Sequence, residues 1–268
     1  MNYHSDTWIM DRVREHYNEA LEYFPENNVV GIFYQGSGNY GLDTPSSDVD
    51  TKLIITPPFY DMAMNRQPIS TTYVRSNNEH TDWKDVRLYL QTFRKQNLNF
   101  LEILFTSYFI VNPLYAREWN RLIDTRDLIT HYDPIRGIKS MQGIAHTKYE
   151  QLENKSPSHI EDIIKFGYSP KEFHHLCRIE EFISRYINNE PYADCLLSKN
   201  PEHLKAVKNG CYTLGDARWM AKASIERIDE MCDEFSKSCD GVVDESVNTL
   251  LNDVQYNIMK IAIEKELK

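Results

Sequence analysis

Apolar and polar residues alternate in two regimes along this chain. Ser5 or Asp6 is suited to cap a helix. Beyond them Trp8, Ile9, Val13, Tyr17, Ala20, Leu21 and Phe24 recur at three- and four-residue steps, which predicts an amphipathic helix to about residue 24. Pro25-Glu26-Asn27-Asn28 ends it, and Val29 to Tyr34 reads as a buried strand. A turn-rich loop follows, then a second strand from Asp48 to Thr56, closed by Pro57-Pro58. Residues 61–80 are polar and read as an irregular surface excursion. Asp85 to Tyr89 fits a third strand or the start of a helix to Lys95, and periodicity does not separate the two. Leu98 to Val111 is apolar and reads as buried, and Pro113 and Pro134 bracket a helical connection.

From Ile135 the pattern turns helical, over roughly 136–153, 171–188, 214–238 and 243–267, with Pro157, Gly167, Pro170, Pro191 and Pro201 as punctuation. No repeat or low-complexity tract interrupts it. The expectation is an α+β domain over 1–130, a small mixed sheet with flanking helices, followed by a helical bundle over 131–268.

At 268 residues, 41% hydrophobic and 26% charged, the chain has enough apolar material for two packed units. No run approaches the roughly 18 apolar residues of a membrane helix, and the polar start MNYHSDTW lacks a signal pattern. Five cysteines, an odd number without a Cys-x-x-Cys pair, argue against a disulfide framework or a cysteine zinc site and suit reduced thiols in the cytoplasm. The net charge is −10. Residues 1–130 carry 12 Lys+Arg against 17 Asp+Glu and the remainder 18 against 23, so each part is at −5. Strong non-specific binding to long nucleic acid is therefore not expected, while a small acceptor or an RNA end stays open.

The chemistry concentrates in GIFYQGSGNYGLDTPSSDVDTKLIITP. A Gly36-Ser37 turn after an apolar strand can present backbone N–H groups to a triphosphate. Asp48 and Asp50, one residue apart on a following strand, share a face because strand side chains alternate. Such a carboxylate pair repels unless a hard cation such as Mg²⁺ neutralises it. GSGNYG also matches G-x-G-x-x-G, but Asp43, Thr44, Pro45, Ser46 and Ser47 break the long helix a dinucleotide site requires. No Gly-Lys-Ser/Thr follows, so a Walker loop is excluded too. Asp-x-Asp alone is common and also suits a polar turn; its spacing from Gly36-Ser37 makes the metal-site reading the stronger one.

GSGNYGLDTPSSDVD resembles the signature of the DNA polymerase β-like nucleotidyltransferase superfamily, and more narrowly a bacterial and phage branch of predicted nucleotidyltransferases, some linked to RNA repair. DVRLYLQTF with NLNFLEILF (85–105) and GYSPKEFHHLCRIEEF (167–182) extend the resemblance over about residues 30 to 190. Related proteins often place a basic or polar residue where this chain has Gly38. The resemblance implies two Mg²⁺ ions, with Mn²⁺ as a substitute, bridged by Asp48 and Asp50. It also implies a third carboxylate, for which Asp85 ranks ahead of Asp82; each also suits a helix cap. Gly36 and Ser37 would hold the β- and γ-phosphates of an NTP, with ATP the expected one. Lys171, His175 and Arg178, at i, i+4 and i+7 on a helix, would form a cationic wall for triphosphate or acceptor. Their bland alternative is a solvated basic face paired with Glu172, Glu180 and Glu181.

Glu102, within an apolar run, reads equally as an orienting residue and as a surface position. His146 and His174 lack the spaced partners of a metal site, and packing or exposure explains them better. The activity so implied is transfer of NMP from an NTP to a hydroxyl with release of pyrophosphate. An RNA end ranks first as acceptor, then a protein hydroxyl or a small molecule. The alternatives are an antitoxin-like protein AMP-transferase and a non-catalytic nucleotide-binding regulator.

Overall fold

A computed structural model describes residues 3–45, 47–157 and 159–268. They form two compact units, one comprising Met1–Tyr132 with Val243–Lys268 and the other Asp133–Val242.

The first unit opens with α1 (Asp6–Ala20), capped by Ser5, whose side chain accepts from the Trp8 amide. It ends four residues before Phe24, and turns complete the apolar stretch. Strands β1 (Val29–Gln35) and β2 (Asp50–Ile55) pair antiparallel. The 61–80 region is more ordered than its polarity suggests. It holds α2 (Phe59–Ala63) and β3 (Ser70–Val74), an edge strand whose exposed side chains erase the hydrophobic signal. The ambiguous segment resolves into both elements: β4 (His80–Asp85) runs directly into α3 (Val86–Arg94). After α4 (Leu98–Leu101) and a 3-10 turn comes β5 (Phe109–Val111), and α5 (Ala116–Asp124) and α6 (Arg126–Thr130) follow.

The sheet order is β3-β4-β2-β1-β5, with β2 and β4 parallel and the other pairs antiparallel. Ile9 and Val13 of α1 pack on Ile32, Tyr34, Leu53 and Ile55, and this apolar layer fixes which side of β2 faces inward.

In the second unit α7 (Pro134–Gln151), α10 (Tyr192–Leu196), α11 (Pro201–Lys208) and α12 (Leu214–Ser238) pack against α9 (Pro170–Tyr186), whose buried stripe is Phe173, Leu176, Ile179, Phe182, Ile183 and Tyr186; α8 (Ile160–Phe166) belongs to the same unit. The last helix, α13 (Glu245–Glu266), packs on α3 and α5 of the first unit. Arg94 Nη2 donates to Asn252 Oδ1 at 2.7 Å, and Glu266 accepts the Phe59 amide at 2.7 Å. The helical unit thus ends near 242 instead of running from 131 to 268. Val247, Leu251, Val254, Ile258 and Ala262 show that α13 has a buried face, but periodicity does not say which partner covers it.

Candidate functional site

The loop after β1 is shaped by Tyr34. Its buried hydroxyl accepts the Gly38 N–H at 3.0 Å. A Cβ at Gly36 would lie 2.7 Å from that oxygen, and one at Gly38 2.8 Å from it. Glycine is required at both places because the backbone crosses directly over the phenol. Ser37–Tyr40 forms a single 3-10 turn, not the long helix of a dinucleotide site, and among the described residues no side chain caps its start. Ser37 Oγ lies 3.3 Å from Ser47 Oγ, and Ser47 Oγ accepts the Thr44 amide, which ties the glycine turn to the segment leading into β2.

β2 begins at Asp50, so Asp48 lies just ahead of the strand instead of on it, and Val49 between the two aspartates is 1% exposed. Asp48 is exposed, and no described residue donates to its carboxylate. Burial first, then the Asp48 charge, raise the pKa of Asp50, against the pull of His80. Asp50 Oδ1 accepts the His80 amide at 2.8 Å and lies 3.2 Å from His80 Nδ1. Its Oδ2 faces no donor among the described residues.

The pairing of β2 with β4 decides what stands beside them. Thr51 is level with Thr81, Lys52 with Asp82 and Ile55 with Asp85. Asp50, Lys52, His80, Asp82 and Lys84 therefore lie on one face, and Asp85 on the other. Asp85 is also five residues along the strands from the level of Asp50, roughly 16 Å at the usual rise per residue. It is 1% exposed, caps α3 by accepting the Arg87 amide at 2.8 Å, and pairs with the Arg87 guanidinium at 2.6 Å. Asp85 thus serves as the cap of α3, on the face opposite Asp50. Asp82 lies on the correct face but is engaged: Lys52 Nζ is 3.0 Å from its Oδ2, and Thr72 Oγ1 donates to its Oδ1 at 2.6 Å. Burial pushes the Asp82 carboxyl up, but Lys52, Thr72 and Lys84 together hold it below the ordinary range.

Lys52, His80 and Glu79 were not legible as members of the site. Period two from Asp50 points to Lys52; His80 and Glu79 become visible only with the strand register. Beneath the aspartates, Glu79 is 4% exposed and accepts the Val49 amide at 3.3 Å. Arg12 donates to both its oxygens, and His16 Nε2 donates to it at 2.9 Å. Arg75 donates to Thr81 at 2.8 Å, the Thr81 and Thr51 hydroxyls share a hydrogen bond at 2.8 Å, and Thr51 Oγ1 lies 3.0 Å from His16 Nδ1. Val49 and Thr51, the neighbours of Asp50, are thereby held from the inward face.

Lys171, His175 and Arg178 stand on α9 of the second unit. Lys171 is exposed, and the other two are partly exposed. Burial, then His174, Arg178, Lys148 and Lys171, push His175 below its ordinary pKa. Glu172 turns inward to Lys148 at 2.9 Å and His159 at 3.4 Å, and Glu180 pairs with Arg227. Glu102 is buried and accepts from the Tyr40 hydroxyl, so it is not a surface position. His174 is a packed residue whose Nδ1 donates to the Leu204 carbonyl at 2.9 Å, and His146 pairs with Asp229 at 2.8 Å. All five cysteines are free thiols.

Among the described residues no three His, Cys, Asp or Glu side chains converge as a metal site, and no helix is long and apolar enough to cross a membrane. The chain matches no family model, and no curated protein sequence matches it.

Proposed function

We propose that the chain is a divalent-cation-dependent nucleotidyltransferase with a polymerase β-like catalytic unit, which moves NMP from an NTP to a hydroxyl and releases pyrophosphate. The observation that carries this is the pair Asp48 and Asp50, ahead of and at the first residue of β2 with Val49 buried between them, near enough for the Asp48 charge to act on Asp50 and tied through Ser47 to the Gly36-Ser37 turn. The helix–strand–glycine turn–strand order of the first unit agrees with the resemblance.

The donor set fits Mg²⁺ held by two carboxylates, because that ion commonly completes its shell with substrate phosphates and water. Asp48 and Asp50 Oδ2 are the groups that would hold it. Bound there, the ion would supply charge neutralisation at the phosphates and acidify the attacking hydroxyl. His80 fixes the other oxygen of Asp50 and so orients its carboxylate, and Glu79 holds the strand backbone between the two aspartates. Gly36 and Ser37 offer the first backbone amides of a turn that no side chain among the described residues caps, a suitable cradle for phosphate oxygens.

The test is transfer of α-phosphate label from each NTP, with Mg²⁺, into total RNA and total protein, with Asp48→Ala as control. Label in RNA that vanishes in the variant supports terminal transfer, and label in a protein band supports AMP transfer to a protein hydroxyl. Absence of label from RNA, protein and small-molecule acceptors, despite NTP binding, would replace catalysis with nucleotide sensing.

A further inference from the structure

We propose that the helical unit carries a ligand site of its own, a cavity between α9, α11 and α12 that binds a small organic cation: a protonated amine on an apolar body. The site stands apart from the nucleotidyltransferase reading, because every residue that lines it belongs to Asp133–Val242.

The cavity encloses about 650 Å³, within the range of small-molecule sites. Cys177, Glu180 and Glu181 reach it from α9, where three- and four-residue steps put them on one face. Leu204 of α11 and Met220 and Met231 of α12 complete an apolar wall with Cys177. Leu204 is buried, whereas Cys177 and both methionines are only partly so, which leaves apolar surface turned to the space. A ligand whose body covers that surface removes it from water, and methionine adapts readily to the shape it meets.

Charge selects the head group. Four glutamates line the cavity against a single arginine, Arg227. That arginine is engaged, since its Nε donates to Glu180 Oε1 at 2.6 Å. Glu181 accepts the Ser198 hydroxyl at 2.7 Å and the Lys199 amide at 2.6 Å, and Arg185 stands 3.7 Å from it. Glu230 and Glu234 are different: they sit one turn apart on α12, and neither pairs with a described residue. Two carboxylates four residues apart on a helix repel each other. The apolar wall beside them focuses their field into the cavity. An ammonium seated there relieves the repulsion and donates charge-assisted hydrogen bonds to the carboxylates. A polyphosphate meets the same field with the wrong sign, so this cavity is no nucleotide pocket.

Isothermal titration calorimetry of the full chain at low ionic strength compares three probes that share one body: 4-phenylbutylamine, 4-phenylbutanol and 4-phenylbutyrate. The amine should bind saturably at one site, the alcohol about tenfold more weakly and the acid not at all. Glu230→Gln with Glu234→Gln changes two exposed side chains without breaking a contact; it should weaken the amine about tenfold and leave the alcohol unchanged. Met231→Trp fills the cavity and should weaken amine and alcohol alike, with circular dichroism confirming the fold. No saturable amine binding would overturn the proposal. So would an alcohol or acid that binds as tightly as the amine, or an amine affinity that the double glutamine variant leaves unmoved. Amine binding unaltered in a folded Met231→Trp chain would put the amine elsewhere and overturn it as well.

Discussion

Replacing Glu79 by Gln tests how the aspartate-bearing strand is held. Glu79 is buried, and its carboxylate takes charge-assisted bonds from Arg12 and His16 besides the Val49 amide. Removing one partner of a fully buried pair typically costs about 3–5 kcal/mol. The Arg12 side chain is 23% exposed and retains Glu15, so it is partly re-solvated and the lower end applies, about 3 kcal/mol at pH 7. Burial raises the Glu79 pKa, but bonds from His16, Arg12 and Asn77 outweigh it and hold the group far below its ordinary value of 4.5. A depressed carboxylate stabilises the fold above its unfolded pKa and loses that contribution as pH falls. Glutamine does not titrate. The gap between the two chains should therefore stay constant above about pH 5 and shrink below about 4.5 by about 1.4 kcal/mol per pH unit. Urea denaturation followed by tryptophan fluorescence reads this in a Trp219→Phe background, because the remaining Trp8, Trp83 and Trp119 all belong to the first unit. A gap under about 1 kcal/mol at pH 7, or one that does not narrow between pH 4.5 and 3.5, would refute the argument.

Two further outcomes follow from the geometry. Asp85→Ala should cost about 1–2 kcal/mol through the lost α3 cap yet leave nucleotide transfer per folded molecule unchanged; loss of turnover in a folded variant would return Asp85 to the site. In the second unit, burial lowers His174 from 6.5 to about 4. A histidine kept neutral by folding binds its proton more readily when unfolded, so stability should fall from about pH 6.5 towards 4, by about 1.4 kcal/mol per pH unit for this group. His175, depressed in the same direction, adds to that slope, and His174→Gln should make it shallower in urea titrations followed by circular dichroism. An unchanged slope would contradict the assignment.

Local rules read correctly where a residue's partners lie near it in sequence. The apolar Val49 between Asp48 and Asp50 reads as buried from sequence, and it is, although the strand itself begins only at Asp50. Ser5, Pro134 and Pro170 mark helix starts through bonds and dihedrals that are complete within one turn, and the real helices begin at or beside them. The glycine loop was legible as a turn, but the reason for Gly36 and Gly38 was not. Tyr34 itself is close in sequence; that its ring folds back under the loop depends on the α1 layer beneath the sheet.

The third-carboxylate question turned on the alignment of β4 with β2. The position of Asp85 at the start of DVRLY ranked it ahead of Asp82, and only the parallel register shows Asp82 on the face of Asp50 and Asp85 at a helix cap. The same register brought His80 to Asp50 and Lys52 to Asp82. The destination of α13 was likewise decided outside its own residues, since an amphipathic stripe states that a face is buried and leaves its partner open. Sequence alone outlined the first helix, the first two strands and the long C-terminal helices and singled out Asp48 and Asp50, because those signals depend on interactions within a few residues. Tertiary structure decided which charges meet, because electrostatic partners are set by strand pairing and packing between segments far apart in the chain.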